Sequence, residues 1–155
     1  MVSLACGKPV RTGLSLAETD VFGLVKQFKF NKLVGAVFLT TRGERGFEEG
    51  TLFIDGGVPV ACEYDYYAYS KKFFGRDAFV RFANACAAPS GVVEVFECSA
   101  DGLHSALAEN HAALYSPRDN ELAKPLKRGF SFEEELTGAA TQKQSILKKI
   151  GFRGM

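Results

Sequence analysis

The stretch that decides the fold is GFEEGTLFIDGGVPVACEYDY, residues 46–66. Apolar and polar residues alternate on either side of Asp-Gly-Gly at 55–57, which is a strong hairpin signal because glycine accepts the positive φ of tight turns. We therefore predict two antiparallel strands, over about 49–54 and 58–66, joined by this turn. Pro59 cannot donate a ladder hydrogen bond, which favours the start of its strand or an exposed edge.

Upstream of the hairpin, the sequence predicts one more strand and one helix. Residues 34–40, VGAVFLT, are short, apolar and β-branched, and would complete a three-strand meander. Residues 15–18, SLAE, fit a capping box, and apolar residues at helical spacing follow them. We therefore predict a first helix over about 16–29.

Downstream, the pattern predicts two helices separated by a strand. An apolar stripe from Phe74 to Cys86 predicts a second helix, with Arg81 on its polar side. Residues 92–97 predict a fourth strand, and Ser99 is placed to cap a third helix. The order α-β-β-β-α-β-α predicts an α+β fold, with a mostly antiparallel four-stranded sheet and helices on one face.

The end of the chain differs in character from the rest. We predict a domain over 7–115, followed by a linker and tail over 116–155. Residues 1–115 carry 11 Lys/Arg and 13 Asp/Glu, whereas the tail carries 8 and 5, so only the tail is net basic. Apolar residues at helical spacing predict a short amphipathic tail helix that begins near residue 141 and ends at Gly151.

Composition argues against several classes of protein. The formal charge of +1 disfavours a dedicated nucleic-acid binder, and no stretch approaches the roughly 20 apolar residues of a membrane span. A signal peptide would need a basic start followed by an apolar run before Cys6. The sequence has neither, so we expect no signal peptide. The four cysteines form no C-x-x-C pair, which indicates thiols in a reducing, cytoplasmic compartment.

Carboxylates near the hairpin are the densest candidate for acid–base chemistry. Such chemistry needs two carboxyl groups in different environments that act on one substrate. Glu48 and Glu49 are neighbours on a strand and should point to opposite faces, so they cannot form such a pair. We predict that all four carboxylates occupy solvated strand and turn positions: Glu48, Glu49, Glu63 and Asp65.

Other motifs give no reactive site either. His104 and His111 are seven residues apart, whereas metal ligands on one helix prefer spacings of about three or four with further ligands nearby. The glycines of 43–50 join two predicted strands, so a hairpin explains them better than a phosphate-binding loop. We therefore expect no enzyme, no cofactor and no metal.

Contact surfaces are what the sequence offers instead. Several tyrosines lie close together at the end of the hairpin. They either pack in the core or form a surface patch that faces a partner protein, and the sequence leaves both alternatives open. The tail helix suits docking into an apolar groove on another protein; packing on its own domain or remaining loose are the alternatives. The predicted partner-binding residues are Tyr64, Tyr66, Tyr67, Tyr69, Ile146, Leu147, Lys148, Lys149, Ile150 and Phe152.

Several motifs together form a recognisable pattern: the strand and turn motifs at 30–34, 46–52 and 55–61, the VACEYDY end at 60–66, and 84–88 and 91–95. Through these motifs, residues 7–114 resemble the PATAN-like domains, which are named after the N-terminal domain of PatA-type response regulators. The closest likeness is to a group of uncharacterised archaeal proteins of this kind. The end of the chain, 145–152, looks like the ends of some archaeal relatives.

The resemblance implies a non-catalytic signalling or adaptor module. We expect a regulatory subunit of an archaeal cytoplasmic assembly, with a protein partner and with self-association left open. The alternative is an accessory protein of a ribosome or polymerase, held on nucleic acid by the basic tail, although the charge does not favour it.

Overall fold

The computed structural model describes residues 7–43 and 45–122. Within them the chain has an α+β fold, with one six-stranded antiparallel sheet and three α-helices. The strands are β1 (Lys8–Ser15), β2 (Gly35–Arg42), β3 (Phe47–Asp55), β4 (Val58–Tyr66), β5 (Lys71–Phe74) and β6 (Val92–Glu97). The helices are α1 (Val21–Asn31), α2 (Gly75–Ala85) and α3 (Ala100–Ala108), with 3-10 turns at Leu16–Glu18, Tyr67–Tyr69, His111–Ala113 and Asp119–Glu121.

The predicted meander is confirmed. Strands β2, β3 and β4 pair in sequence, and the sheet order is β1-β6-β2-β3-β4-β5. Gly56 and Gly57 supply the positive φ of the β3–β4 turn, at +58° and +85°. The glycine-containing segment between β2 and β3 is a hairpin, as predicted, because Gly35–Arg42 pairs in register with Phe47–Ile54.

The prediction of four strands was wrong, because both edge strands were missed. Strand β1 carries no alternating apolar pattern, since almost all of its residues are exposed on an edge. Strand β5 has only four residues and runs directly into α2, so its Phe73 and Phe74 read as the beginning of a helix. Edge strands need less apolar burial than central ones, which weakens their signature in a sequence.

The predicted start of helix 1 was also wrong. Ser15 precedes a separate 3-10 turn and makes no side-chain cap. The α-helix begins at Val21, and the Asp20 carboxylate accepts a hydrogen bond from the amide of Gly23 at 3.0 Å. A carboxylate satisfies the free amides at a helix start as well as a capping box does, so two candidate caps lay close together in the sequence.

The helices lie on both faces of the sheet, not on one. Helices α1 and α2 cover the larger core, which we call the main core and which includes Phe22, Leu39 and Phe82. Helix α3 packs on the opposite face, where Leu103 joins Phe53 in a smaller cluster. Successive strand residues alternate between these two clusters, so both faces of the central strands are apolar.

The sheet ends at two edges of different character. At one edge, β1 contains Pro9, and its pairing with β6 shifts register twice between Pro9 and Leu14. At the other edge, the short β5 begins with Lys71 and Lys72.

After α3 the chain returns across the sheet and packs on the main core. The Tyr115 amide donates to the carbonyl of Val60 at 2.9 Å, and Asp119 forms a 3.0 Å ion pair with Lys29 on α1. Leu122 is buried in the main core at 2% exposure. The predicted tail helix, with Ile146, Leu147, Lys148, Lys149, Ile150 and Phe152, lies outside the described residues.

Candidate protein-docking surface

Two of the four tyrosines predicted to face a partner are buried. Tyr64 and Tyr66 are 0% and 2% exposed, and both belong to the main core. They alternate on β4, so they share the face that α2 covers, and their rings lie 5.0 Å apart. The prediction of a surface role for these two is therefore corrected: a phenol packs well in a core when its hydroxyl has a partner.

The partner of the Tyr64 hydroxyl is the buried carboxylate of Glu48, which was predicted to be solvated. The Tyr64 hydroxyl donates to Oε1 of Glu48 at 2.9 Å, and Glu48 is only 1% exposed. Arg81, predicted on the polar side of α2, is also buried at 8%, and its guanidinium lies 3.6 Å from the Phe73 ring centroid. The charged side chains of Glu48 and Arg81 are therefore buried between α2 and the sheet, where they form part of the core.

The other two tyrosines differ from each other. Tyr69 is partly buried and packs against the main core, whereas Tyr67 is 47% exposed. The Tyr67 hydroxyl donates to Oε2 of Glu49 at 2.9 Å, which fixes the direction of its ring. Of the predicted tyrosine patch, Tyr67 is the member with a large exposed area.

A second exposed aromatic residue, Phe47, was missed by the sequence analysis. It is 60% exposed at the first position of β3 and lies on the same sheet face as Glu49. The last rung of the β3–β4 ladder pairs Glu48 with Tyr66, and Phe47 and Tyr67 both lie one residue beyond it, at the same end of the sheet. We call Phe47 and Tyr67 the exposed aromatic pair.

Acidic groups extend from the exposed aromatic pair across the same face. Glu49 and Asp65 are directly opposite on β3 and β4. Opposed like charges on a sheet are unfavourable, and Lys72, which is opposite Asp65 on β5, offsets this only in part. The prediction that Glu48 and Glu49 point to opposite faces is confirmed, because one is buried in the core and the other is partly exposed.

Glu63 lies deeper on this face and was wrongly predicted to be solvated. It is 3% exposed, and its carboxylate accepts a hydrogen bond from the Asn110 side chain and lies 3.6 Å from Nζ of Lys72. Asn110 follows α3, so the return of the chain covers this carboxylate. One hydrogen-bond donor, Asn110, and one opposing charge, Lys72, give Glu63 a structural role.

The pKa of Tyr67 is raised by its surroundings at this end of the sheet. Burial, the hydrogen bond to Glu49 and the charges of Glu49 and Asp65 raise the pKa of Tyr67 from 10.0 to about 12. The folded state therefore holds the neutral phenol more strongly than the unfolded chain does, so this contribution to stability is complete below pH 10 and is lost as the pH rises towards 12.

We predict that Glu49→Gln lowers the pKa of Tyr67 towards its ordinary value, because the substitution removes the nearest negative charge while burial remains. A titration of ¹³C-labelled tyrosine by NMR would measure it. Glu94→Gln is the matched control, since Glu94 lies on β6, away from this phenol. An unchanged pKa of Tyr67 in Glu49→Gln would show that burial and the charge of Asp65 cause the shift without Glu49.

The cysteines and histidines form no reactive cluster in the described part of the chain. Cys62 and Cys98 are thiols, as predicted, and burial raises the pKa of Cys62 well above its usual range, which opposes thiolate chemistry. The Nε2 atom of His104 lies 3.0 Å from Oδ2 of Asp55. His111 lies on a separate 3-10 turn, and not on α3 as predicted. Among residues 7–43 and 45–122, no three His, Cys, Asp or Glu side chains are placed to hold a metal ion.

The same residues include no helix that is long and apolar enough to span a membrane. The model of a family described as "uncharacterized protein conserved in archaea (DUF2226)" matches residues 2–110 of the chain. No curated protein and no solved structure is detectably similar to the chain.

Proposed function

We propose that this chain, which belongs to the family of proteins conserved in archaea, is a non-catalytic interaction module, an adaptor or regulatory subunit of a cytoplasmic assembly. The observation that carries the proposal is the exposed aromatic pair, Phe47 and Tyr67, at one end of the sheet. The second contact is the tail helix predicted over about 141–151.

The exposed aromatic pair has the properties of an anchor for another protein. Large rings bury much area at little cost in side-chain entropy, and tyrosine is enriched in interfaces because it combines an apolar ring with a polar tip. The hydrogen bond from Tyr67 to Glu49 holds one ring in place before a partner arrives. Preorganisation of this kind lowers the entropic cost of binding.

Charge at this surface is mixed and does not select the class of partner. Glu49 and Asp65 lie on this face, but Arg42 is directly opposite Phe47 on β2 and Lys72 is opposite Asp65 on β5. The nucleic-acid alternative rests on the basic tail, and it requires binding that weakens steeply as salt is added.

The resemblance of 7–114 to PATAN-like domains supports the same proposal from a different direction. Those domains occur beside receiver domains and other regulatory parts, which suggests a role in signalling. On this proposal the chain carries contact surfaces and leaves chemistry to its partner.

The test compares co-purification from archaeal cells that express tagged full-length variants. We expect Phe47→Ser combined with Tyr67→Ser to reduce recovery of the partner at least about tenfold, since central aromatic anchors commonly contribute 2 kcal/mol or more each. Phe30→Ser is the matched control, because Phe30 is 88% exposed on α1, away from this surface.

Equal recovery with the double variant and the control would remove the exposed aromatic pair from the proposal. A second comparison, of the full chain with a form that ends at residue 138, tests the tail in the same way. Loss of the co-purifying material on nuclease treatment would favour the nucleic-acid alternative.

A further inference from the structure

A groove runs between the edge strand β1 and the helix α1. It contains two adjoining depressions of about 350 and 310 Å³. The first lies between Leu14 and Leu24, and the second lies between Val10 and Phe28. Leu24 and Phe28 are one helical turn apart, so the two depressions follow each other along α1.

The lining of this groove mixes apolar and polar side chains. Val10 is 42% exposed, and Leu14 and Leu24 are partly buried at the margin of the main core. The polar lining residues include Thr19, Gln27 and Asn31, and the charged ones are Glu18, Asp20, Glu97, Arg11 and Lys32, an excess of one acidic group. The groove therefore suits an amphipathic segment with one apolar side and some positive charge.

The length of the groove matches a short helix. Helix α1 has 11 residues, so it is about 16 Å long at about 1.5 Å per residue. The predicted tail helix, from residue 141 to its end at Gly151, has nearly the same length. Its apolar side presents Ile146, Leu147 and Ile150, and Lys143, Lys148 and Lys149 accompany them.

The chain leaves the described domain on the other side of helix α1 from this groove. Asp119 is bound to Lys29 on α1, and Leu122 is buried in the main core. The groove lies along the same helix, and crossing a helix requires about 10–12 Å. The 19 residues from 122 to 141 are enough to cover this distance, because a chain of that length with random-coil statistics has a root-mean-square span of about 24 Å.

Covalent attachment to the same chain favours the tail, residues 141–152, over a separate molecule as the segment that binds in this groove. A segment held by a linker of suitable length is present at an effective concentration in the millimolar range, well above the concentration of a second copy. We propose that the groove between β1 and α1 binds residues 141–152 of the same chain, and that the tail helix is shielded there until a partner draws it out.

The test is an NMR comparison of full-length variants in the absence of any partner. We expect Ile150→Glu to shift the amide resonances of 8–15 and 21–31 and to raise their hydrogen-exchange rates up to about tenfold, since a charge on the apolar side of the tail helix releases it. Ser145→Glu is the matched control, because it adds the same charge on the opposite side of the predicted helix.

Leu24→Glu tests the groove from the other side and should reproduce the shifts caused by Ile150→Glu. Ile150→Glu lies outside the described domain, so it keeps the test valid even if Leu24→Glu unfolds the protein. Identical spectra for the wild type and Ile150→Glu would overturn the proposal. Shifts that vanish on dilution would also overturn it, because they would indicate docking between two copies. The measurement needs no partner, so its failure is distinguishable from failure of the proposed function.

Discussion

Replacing Phe22 by alanine is expected to lower the free energy of unfolding by about 4 kcal/mol. Phe22 is 1% exposed on α1, and its ring centroid lies 5.8 Å from that of Phe79 and 6.2 Å from that of Phe82. Truncation removes the ring that joins α1 to α2 and leaves a cavity that the sheet beneath cannot fill. Because small domains have a total stability of about 5–15 kcal/mol, this change brings the protein close to unfolding.

The matched control is Phe30→Ala on the same helix. Phe30 is 88% exposed, so its truncation should change stability by less than about 0.5 kcal/mol. Urea denaturation followed by circular dichroism would measure both variants. Similar losses for Phe22→Ala and Phe30→Ala would contradict the described position of α1 on the main core.

Replacing Gly57 by alanine is expected to cost about 3 kcal/mol, because steric and conformational penalties combine. A Cβ atom at this position would lie 2.5 Å from the carbonyl oxygen of Phe28 and 2.6 Å from the Cα of Lys29, and its φ is +85°. The amide of Gly57 also donates to the carbonyl of Leu33 at 2.8 Å. The β3–β4 turn therefore packs directly on the end of α1 and cannot move away freely.

Gly56→Ala separates the two penalties. Gly56 has a φ of +58°, but a Cβ atom there would meet nothing within 4 Å. We expect a loss of about 1 kcal/mol from backbone conformation alone, measured as a smaller fall in the midpoint of thermal unfolding. Equal losses for Gly56→Ala and Gly57→Ala would show that the contact with α1 yields without cost.

The central part of the fold could be predicted because its signals are local. The turn at 55–57 and the alternation on either side of it specify a hairpin without reference to the rest of the chain. The edge strands escaped prediction because β1 has almost no buried side chains and β5 has only four residues. Their positions depend on pairing with distant segments, which a local pattern does not contain.

The candidate surface was harder to predict than the fold. When one sheet face is open, alternation separates buried from exposed residues, but here helices cover parts of both faces. Tyr66 is therefore buried while its neighbour Tyr67 is exposed, and Phe53 is buried by α3 while Phe47, on the same face of β3, is not. Which residues are covered depends on where each helix ends along the strands, and this is a property of the assembled tertiary structure.

The two edges of the sheet limit how copies of this protein can associate. Open-ended fibrils grow when an exposed backbone edge accepts a strand from the next molecule. Pro9 and the register shifts interrupt one edge, while Lys71 and Lys72 on a four-residue strand place repelling charges at the other. Fibril growth by addition of strands at these edges is therefore disfavoured, and association between copies would have to use side-chain contacts.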